Sequence, residues 1–398
     1  MASAIVTWTP TYLWLKFRKT TLLESLKHYW KYDPATLLQG VDSLLGYLGA
    51  SDDWNQTNDP DQPSGETISL RKKSGVSLVV IAKKVPNHLV PWLAELSEAT
   101  RRHLSSNSLL PPNRMHLYEF LSCVATAVDD PVARANFISN VLADAMSVLE
   151  SAEVQQVISS PEMFLSSLGI SQAATNPDSV TNLENVARVD RAFCALFSAM
   201  NQLLSVGKRC HEAARKRPNG GIPLQDNPNF NSANMQNFPD EGPVSIQDLV
   251  VNDPFVPLWP RILPILIRVV DVTLSLWHPR HQATLLRNNI QRYMYAISDD
   301  EAFLSKVHDS HSGGVFGEGG TAGSVVAGTD RRDQNLVPKW SGWFNELRNS
   351  CFQMLGMFSG QRAMFAPEVA PMFPSFVSVV ANSEHLQAME NRHLVQYM

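Results

Sequence analysis

Apolar residues recur with helical spacing through most of the chain, and this feature constrains the fold more than any other. In residues 252–279, NDPFVPLWPRILPILIRVVDVTLSLWHP, the apolar side chains from Ile262 to Leu276 follow i, i+3, i+4 and i+7 spacing. Further apolar residues widen the stripe beyond half the helix circumference, which predicts a helix covered on two sides. Strand signals, meaning alternating polar and apolar residues beside hairpin turns, are nearly absent. The sequence therefore predicts an all-α fold.

The same stretch is not predicted to cross a membrane. Arg268 and Asp271 interrupt it, and its apolar part is shorter than the roughly 20 residues that a bilayer requires. The N-terminus has no secretory signal pattern, and the four cysteines lack C-x-x-C spacing. We therefore expect a soluble chain in a reducing compartment, the nucleus or the cytosol.

Other segments share this helical periodicity and are separated by prolines and short polar breaks. Helix pairs recur about every 40–50 residues, the period of solenoids such as HEAT-repeat arrays, in which each pair packs only on its neighbours. No residue-level repeat consensus is visible, so periodicity alone fits an irregular helical bundle equally well. The predicted helices are 12–30, 35–49, 67–84, 88–107, 114–128, 131–150, 152–169, 181–217, 280–297, 338–358 and 370–397.

Three polar or glycine-rich segments interrupt the predicted helices within what we interpret as a single array over residues 1–398. Residues 52–65 and 217–243 are rich in Pro, Asn and Asp and are predicted to be long surface loops. Residues 312–330 carry many glycines and are predicted to be disordered. Their GEGGTAG run lacks the preceding strand and the Gly-Lys-Ser/Thr of a nucleotide-binding loop, so we interpret it as a linker.

Catalytic and metal-binding patterns give no positive signal. His278-x-x-His281 and His308-x-x-His311 place two imidazoles one helical turn apart, but no further ligand lies nearby. We interpret these histidines as exposed and solvated. No nucleophile elbow or paired-carboxylate arrangement is present. The chain is therefore predicted not to be an enzyme, with no catalytic residues, no metal and no cofactor.

Two basic clusters are more informative than the net charge of −5. In SLRKKSGVSLVVIAKKVP, residues 69–86, Lys72 precedes Lys83 by eleven residues and Lys73 precedes Lys84 by the same number. Eleven residues make three helical turns, so these cations project from one side, and Arg71 extends the patch. The cluster is typical either of a solvated helix face or of a ridge that contacts phosphates. The second cluster, in residues 207–218, is also explained by the helix dipole, which favours cations at a C-terminus.

Four sequence segments, taken together and in order, resemble a known family. They are SLRKKSGVSLVVIAKKVPNHLVP (69–91), NVARVDRAFCALFSAMNQLLSVGKRC (185–210), the 252–279 stretch and WFNELRNSCFQMLGM (343–357). The series resembles the central and later repeats of the exportin-5 family, importin-β-type (karyopherin) nuclear export receptors. The resemblance implies a HEAT-repeat α-solenoid, and we expect the chain to correspond to part of a longer exportin.

The resemblance also implies partners and binding residues. Family members carry double-stranded RNA hairpins of the pre-microRNA type with Ran-GTP, contact nucleoporins and shuttle between nucleus and cytoplasm. We expect this chain to be a monomer that does not insert into a membrane. The duplex is held by shape and backbone charge, as suits A-form RNA, whose base edges are hidden in a deep major groove. Carried over by local match, the RNA-binding candidates, including those for a two-nucleotide 3′ overhang, are Arg71, Lys72, Lys73, Ser77, Asn113, Arg114 and Arg261.

Two other functions remain open from the sequence. A HEAT-repeat scaffold that binds only proteins would have exposed apolar or acidic grooves and binding that is insensitive to salt. An RNA-binding chain would instead lose affinity steeply as salt increases, because each neutralised phosphate releases counterions. An all-helical enzyme is the third alternative and has no supporting motif.

Overall fold

A computed structural model of the chain describes residues 2–50, 64–105, 109, 111–171, 183–215, 253–276, 281, 347, 349–358 and 366–381. Helices are the regular structure of these ranges, which contain no strand, and the all-α prediction is confirmed. The described residues belong to two compact units, 2–141 and 142–381. The helices are α1 (Ala2–Thr7), α2 (Leu13–Ser25), α3 (Pro34–Leu48), α4 (Gly65–Lys84), α5 (Pro86–Leu89), α6 (Leu93–Ser105), α7 (Pro111–Ala125), α8 (Pro131–Val141), α9 (Ala143–Glu150), α10 (Ala152–Val157), α11 (Pro161–Ser167), α12 (Leu183–Arg215), α13 (Trp259–Ser275) and α14 (Phe373–Ala381).

Helix α4 is the centre of the first unit. It packs most extensively against α7 and also against α2 and α3, so it is covered on several sides. Leu23, Trp30, Leu78 and Phe120 are fully buried in the core that these helices share. The indole nitrogen of Trp30 donates to the carbonyl oxygen of Leu23 at 3.2 Å, so the buried ring keeps its polar atom satisfied. Burial of these large side chains is what holds α4 in place.

Helix boundaries in both units follow the capping chemistry of the sequence. Asp33 and Ser64 accept hydrogen bonds from backbone N–H groups three residues later and so cap α3 and α4. The predicted helix 152–169 is two helices in the structure, because Ser160 caps a new helix that begins at Pro161. The predicted helix 131–150 is likewise divided at Leu142.

Helix α13 contains the core of the 252–279 stretch. Its stripe of buried apolar residues confirms a helix covered on two sides. Trp259 packs against Phe255 and Phe358, with ring centroids 5.1 Å and 5.0 Å apart. Pro264 lies in the helix interior, where its ring removes one backbone hydrogen bond, and not in the first turn as Pro260 does. No helix in the described ranges is long and apolar enough to span a bilayer.

Several sequence predictions fall on residues that the structure does not describe. Outside the described residues lie 52–63 of the first predicted loop, the loops 217–243 and 312–330, and residues 282–297 of a predicted helix. Ser64 and Gly65, at the end of the first predicted loop, are the cap and first residue of α4. The prediction of one continuous array over 1–398 therefore stays a prediction.

Candidate nucleic-acid interface

The basic segment predicted from residues 69–86 forms most of α4 and its C-terminal end. The helix is capped by Ser64, carries Glu66 in its first turn and ends before Pro86, an arrangement that suits the helix dipole at both ends. Five residues that are not buried follow one another at spacings of three or four and form one stripe, while Ile68, Lys73 and Lys84 are also not buried and lie beside it. This accessible stripe of α4 consists of Ser69, Lys72, Val76, Val80 and Lys83.

Lys72 and Lys84 are the available cations of this helix. Lys72 is half-buried on the accessible stripe and Lys84 is exposed at the last residue of α4. Neither ammonium group has a hydrogen-bond or ion-pair partner among the described residues. Lys83 lies on the same stripe, eleven residues after Lys72, and has an interaction partner of its own. The predicted alignment of cations along one side is thus present for Lys72 and Lys83.

Arg71 does not lie on the surface, and the prediction that it extends a surface patch is wrong. Only 6% of the residue is exposed. Its Nε and Nη2 atoms both donate to the carbonyl oxygen of Ala50, at 3.0 Å and 2.7 Å. Ala50 lies two residues beyond the end of α3, so the guanidinium supplies a hydrogen-bond donor to a loop carbonyl. Arg71 therefore ties α4 to the chain beyond α3.

Lys73 and Ser77 converge on one carboxylate of α2. Lys73 Nζ lies 2.7 Å from Glu24 Oε2, and Ser77 Oγ donates to the same oxygen at 2.6 Å. Burial alone would raise the pKa of Glu24, but the hydrogen bonds from these residues and the positive charges of Lys73 and Lys27 outweigh it, so the pKa is lowered. Ser77 is fully buried. The pair therefore connects α4 to α2 in the free chain.

Gly75 permits a close approach of α4 and α7. A Cβ atom at this position would lie 2.8 Å from Cδ2 and 2.9 Å from Cβ of His116. Real Cβ atoms do not approach neighbouring atoms that closely, so a side chain here would push the two helices apart. The glycine between the cations and Ser77 is thus required by packing, and the contact fixes the position of the accessible stripe relative to α7.

Asn113 and Arg114 lie in the first turn of α7. Asn113 is 2% exposed, and its side-chain nitrogen has no hydrogen-bond partner within the described chain. Arg114 Nη2 donates to the carbonyl oxygen of Leu104 at 2.6 Å, near the end of α6. A buried amide donor without a partner costs free energy, so Asn113 marks a place where a ligand oxygen would be stabilised if it gained access.

Arg261 belongs to the second unit and is held by a different contact. Its guanidinium forms two hydrogen bonds with the carboxylate of Glu150, at 2.9 Å and 2.8 Å. Two helical turns further along, Arg268 donates to the side-chain oxygen of Gln155 at 2.6 Å. Arg261 is exposed, and these contacts fasten α13 to the α9–α10 segment. Arg261 and α4 belong to separate compact units.

The second basic cluster and the histidine pairs offer little to a ligand. In the 207–218 cluster, Arg209 Nη1 lies 2.8 Å from both carboxylate oxygens of Glu212, and residues 216–218 lie outside the described ranges. The prediction of exposed histidines is wrong for His281, which is 6% exposed with Nε2 3.7 Å from a Glu162 oxygen. His278, His308 and His311 lie outside the described ranges. Among the described residues, no group of His, Cys, Asp or Glu is arranged to hold a metal.

Comparison with protein-family models gives a match. The model of the Exportin-5 family covers residues 15–398, which is nearly the whole chain. A search of curated proteins gives no match. The family consists of nuclear transport receptors with HEAT-repeat-like helical architecture, in agreement with the all-α helices and with the resemblance noted from the sequence. The chain belongs to the Exportin-5 family.

Proposed function

We propose that this chain is a segment of a nuclear export receptor that binds double-stranded RNA hairpins of the pre-microRNA type together with Ran-GTP. Family membership supports the transport-receptor class. The observation that carries the RNA part is the presence on α4 of two lysines, Lys72 and Lys84, that have no partner in the described chain. An unpaired ammonium can contact a phosphate without giving up an existing ion pair. The receptor would engage nucleoporins, act as a monomer and shuttle between nucleus and cytoplasm.

The physics of A-form RNA agrees with such a surface. Proteins recognise the RNA duplex through phosphates, 2′-hydroxyls and shape, because the base edges are hidden in the deep major groove. Lys72 and Lys84 are about 18 Å apart along the helix axis at 1.5 Å per residue. Two lysines at that separation reach different phosphates of a backbone and supply affinity without sequence preference.

The other candidate residues differ in what RNA binding would require of them. Arg71, Lys73 and Ser77 hold Ala50 and Glu24 in the free chain, so each would have to exchange an internal partner for RNA. We propose these three as residues that position α4, with Lys72 in direct contact. Asn113, Arg114 and Arg261 remain proposed RNA contacts: Asn113 has an unused donor, whereas Arg114 and Arg261 would exchange protein acceptors for phosphate oxygens.

A protein-only scaffold is the second candidate, and exposed aromatic residues favour it. Tyr12, Trp14 and Tyr32 are 62%, 61% and 72% exposed in the first unit. Exposed Trp and Tyr side chains are typical of protein-binding surfaces, where they contribute much of the affinity. Such a surface would give binding with weak salt dependence, unlike phosphate contacts.

The deciding experiment is a filter-binding titration of the chain with a short RNA hairpin that has a two-nucleotide 3′ overhang, at two salt concentrations. A blunt hairpin of the same stem and a DNA duplex of the same sequence are the matched ligands. We expect hairpin affinity to fall steeply as salt rises and the DNA duplex to bind more weakly, because its B-form shape differs. Absence of hairpin binding, with the helical circular dichroism of the chain intact, would favour the scaffold.

A further inference from the structure

The last turn of α6 brings an exposed serine and three arginines together outside the accessible stripe of α4. Ser105 is the final residue of α6 and is exposed. Arg101 and Arg102 precede it by four and three residues, and both are exposed. Arg114 of α7 donates to the carbonyl oxygen of Leu104 at 2.6 Å, so a third guanidinium lies beside the same turn.

The three arginines differ in their hydrogen-bond partners. Arg101 forms two hydrogen bonds with the carboxylate of Glu98, at 2.9 Å and 2.8 Å. Arg102 has no hydrogen-bond or ion-pair partner among the described residues. Kinases that recognise arginine bind an exposed guanidinium three residues before the acceptor hydroxyl with carboxylates of their own. Arg102 satisfies that requirement, since no described residue hydrogen-bonds to it and the nearby Glu98 carboxylate, which is bonded to Arg101, attracts it only through space.

The acceptor also lies where the chain can leave the helix. Ser105 Oγ donates to the carbonyl oxygen of Arg101 at 2.9 Å, a contact confined to the last turn. Terminal turns lack part of their backbone hydrogen bonds and fray more easily than the helix interior. By contrast Ser74 and Ser77, which also follow basic residues, are fully buried in α4 and inaccessible. Exposure and position therefore select Ser105.

We propose that Ser105 is a phosphorylation site for an arginine-directed serine/threonine kinase. The bond between the γ-phosphorus of ATP and the oxygen that bridges it to the β-phosphate breaks. A bond forms between the γ-phosphorus and Ser105 Oγ, and ADP leaves. The hydroxyl proton passes to the catalytic carboxylate of the kinase. A phosphate opposes the helix dipole at a C-terminus, but guanidinium groups from Arg102 and Arg114 offset this cost with charge-assisted hydrogen bonds.

A consequence of this site rests on the proposed function. Phosphate at Ser105 neutralises Arg114, which is one of the proposed RNA contacts. Hairpin affinity should then fall, and the slope of log affinity against log salt should decrease by about 0.7–0.9, because one arginine no longer contacts an RNA phosphate. The modification would thus weaken cargo binding through a residue in the first unit.

The chain itself offers a matched control serine. Ser25 is the last residue of α2, is exposed, and its Oγ donates to the carbonyl oxygen four residues earlier at 2.9 Å, as that of Ser105 does. The residues three and four positions before it are Leu22 and Thr21, not arginines. Ser25 therefore shares the geometry of Ser105 without the recognition element.

The experiment is phosphorylation of the full chain by the catalytic subunit of an arginine-directed kinase with ATP, with each site located by mass spectrometry. We expect phosphate at Ser105 and none at Ser25, and Arg102→Gln should slow labelling at least about tenfold, the loss expected when one charge-assisted hydrogen bond is removed. Absence of phosphate at Ser105, equal labelling of Ser25, or an unchanged rate in Arg102→Gln would overturn the site.

Hairpin titration before and after complete labelling tests the consequence separately. Weaker binding that is absent in kinase-treated Ser105→Ala would support it, and unchanged affinity of the fully phosphorylated chain would overturn it. If the unmodified chain binds no hairpin, the proposed function fails while the labelling result still decides the site.

Discussion

Replacement of Arg71 should destabilise the first unit far more than replacement of its neighbour Lys72. Arg71→Met keeps most of the aliphatic stem but removes both hydrogen bonds to the carbonyl oxygen of Ala50, at 3.0 Å and 2.7 Å. Lys72→Met is the matched control, because Lys72 is the next residue on the same helix and has no partner among the described residues. The comparison distinguishes a cation that stabilises the fold from one that is accessible to a ligand.

The expected magnitude follows from the chemistry of that contact. A hydrogen bond from a charged donor contributes about 1.5–3 kcal/mol, and loss of the donor leaves a partly buried carbonyl without these bonds. We therefore expect Arg71→Met to lower the free energy of local unfolding of α4 by roughly 2–3 kcal/mol. A surface substitution without such a contact changes it by about 0.5 kcal/mol or less, which is the expectation for Lys72→Met.

Amide hydrogen exchange of α4, followed by mass spectrometry, is the appropriate assay. It measures local opening and does not require both units of the chain to unfold in a single step. A loss of 2–3 kcal/mol corresponds to exchange that is about 30- to 150-fold faster in the protected core of α4. Equal exchange rates in the Arg71 and Lys72 variants would refute the assignment of Arg71 as a structural tie.

Three further perturbations test the packing of the first unit. Gly75→Ala should destabilise it by about 1–3 kcal/mol, because the new Cβ would meet His116 at 2.8 Å, whereas Gly46→Ala, with no atom within 4 Å, should be neutral or stabilising in a thermal melt. The pKa of Glu24 is lower in the folded chain than in the unfolded chain, so its ionised carboxylate stabilises the fold above the unfolded-state pKa. This stabilisation is lost as the pH falls through the folded-state pKa. In Glu24→Gln, the free energy of unfolding from urea titrations should therefore fall less steeply with decreasing pH. Lys19→Met removes two 2.7 Å hydrogen bonds to carbonyls at the end of α1, so limited proteolysis should cut residues 2–12 faster than in the parent chain.

The sequence predicts the helices well because their signal is local. Apolar spacing locates α4, α12 and α13 within a few residues of their observed bounds. The division at Pro161 also has a sequence signal, since a serine before a proline is a helix start, but the apolar spacing on both sides conceals it. The break at Leu142 has no cap hydrogen bond and no comparable sequence signal.

The binding candidates are harder to predict because their partners are distant in sequence. Arg71 contacts a carbonyl 21 residues earlier, and Lys73 and Ser77 contact Glu24, which is 49 and 53 residues earlier. Helical spacing places all these residues on one helix but does not say which face neighbouring helices cover. It therefore identifies the basic helix correctly and cannot separate the cations that hold the fold from Lys72, which is available.

The salt dependence of hairpin binding by the Lys72→Ala/Lys84→Ala variant tests the proposed RNA interface most directly. Both lysines lack partners in the described chain, so the variant should keep the helicity and thermal stability of the parent. If each lysine contacts one phosphate, affinity should fall and the slope of log affinity against log salt should decrease by about 1.4–1.8. An affinity and a slope equal to those of the parent chain would contradict RNA binding by α4.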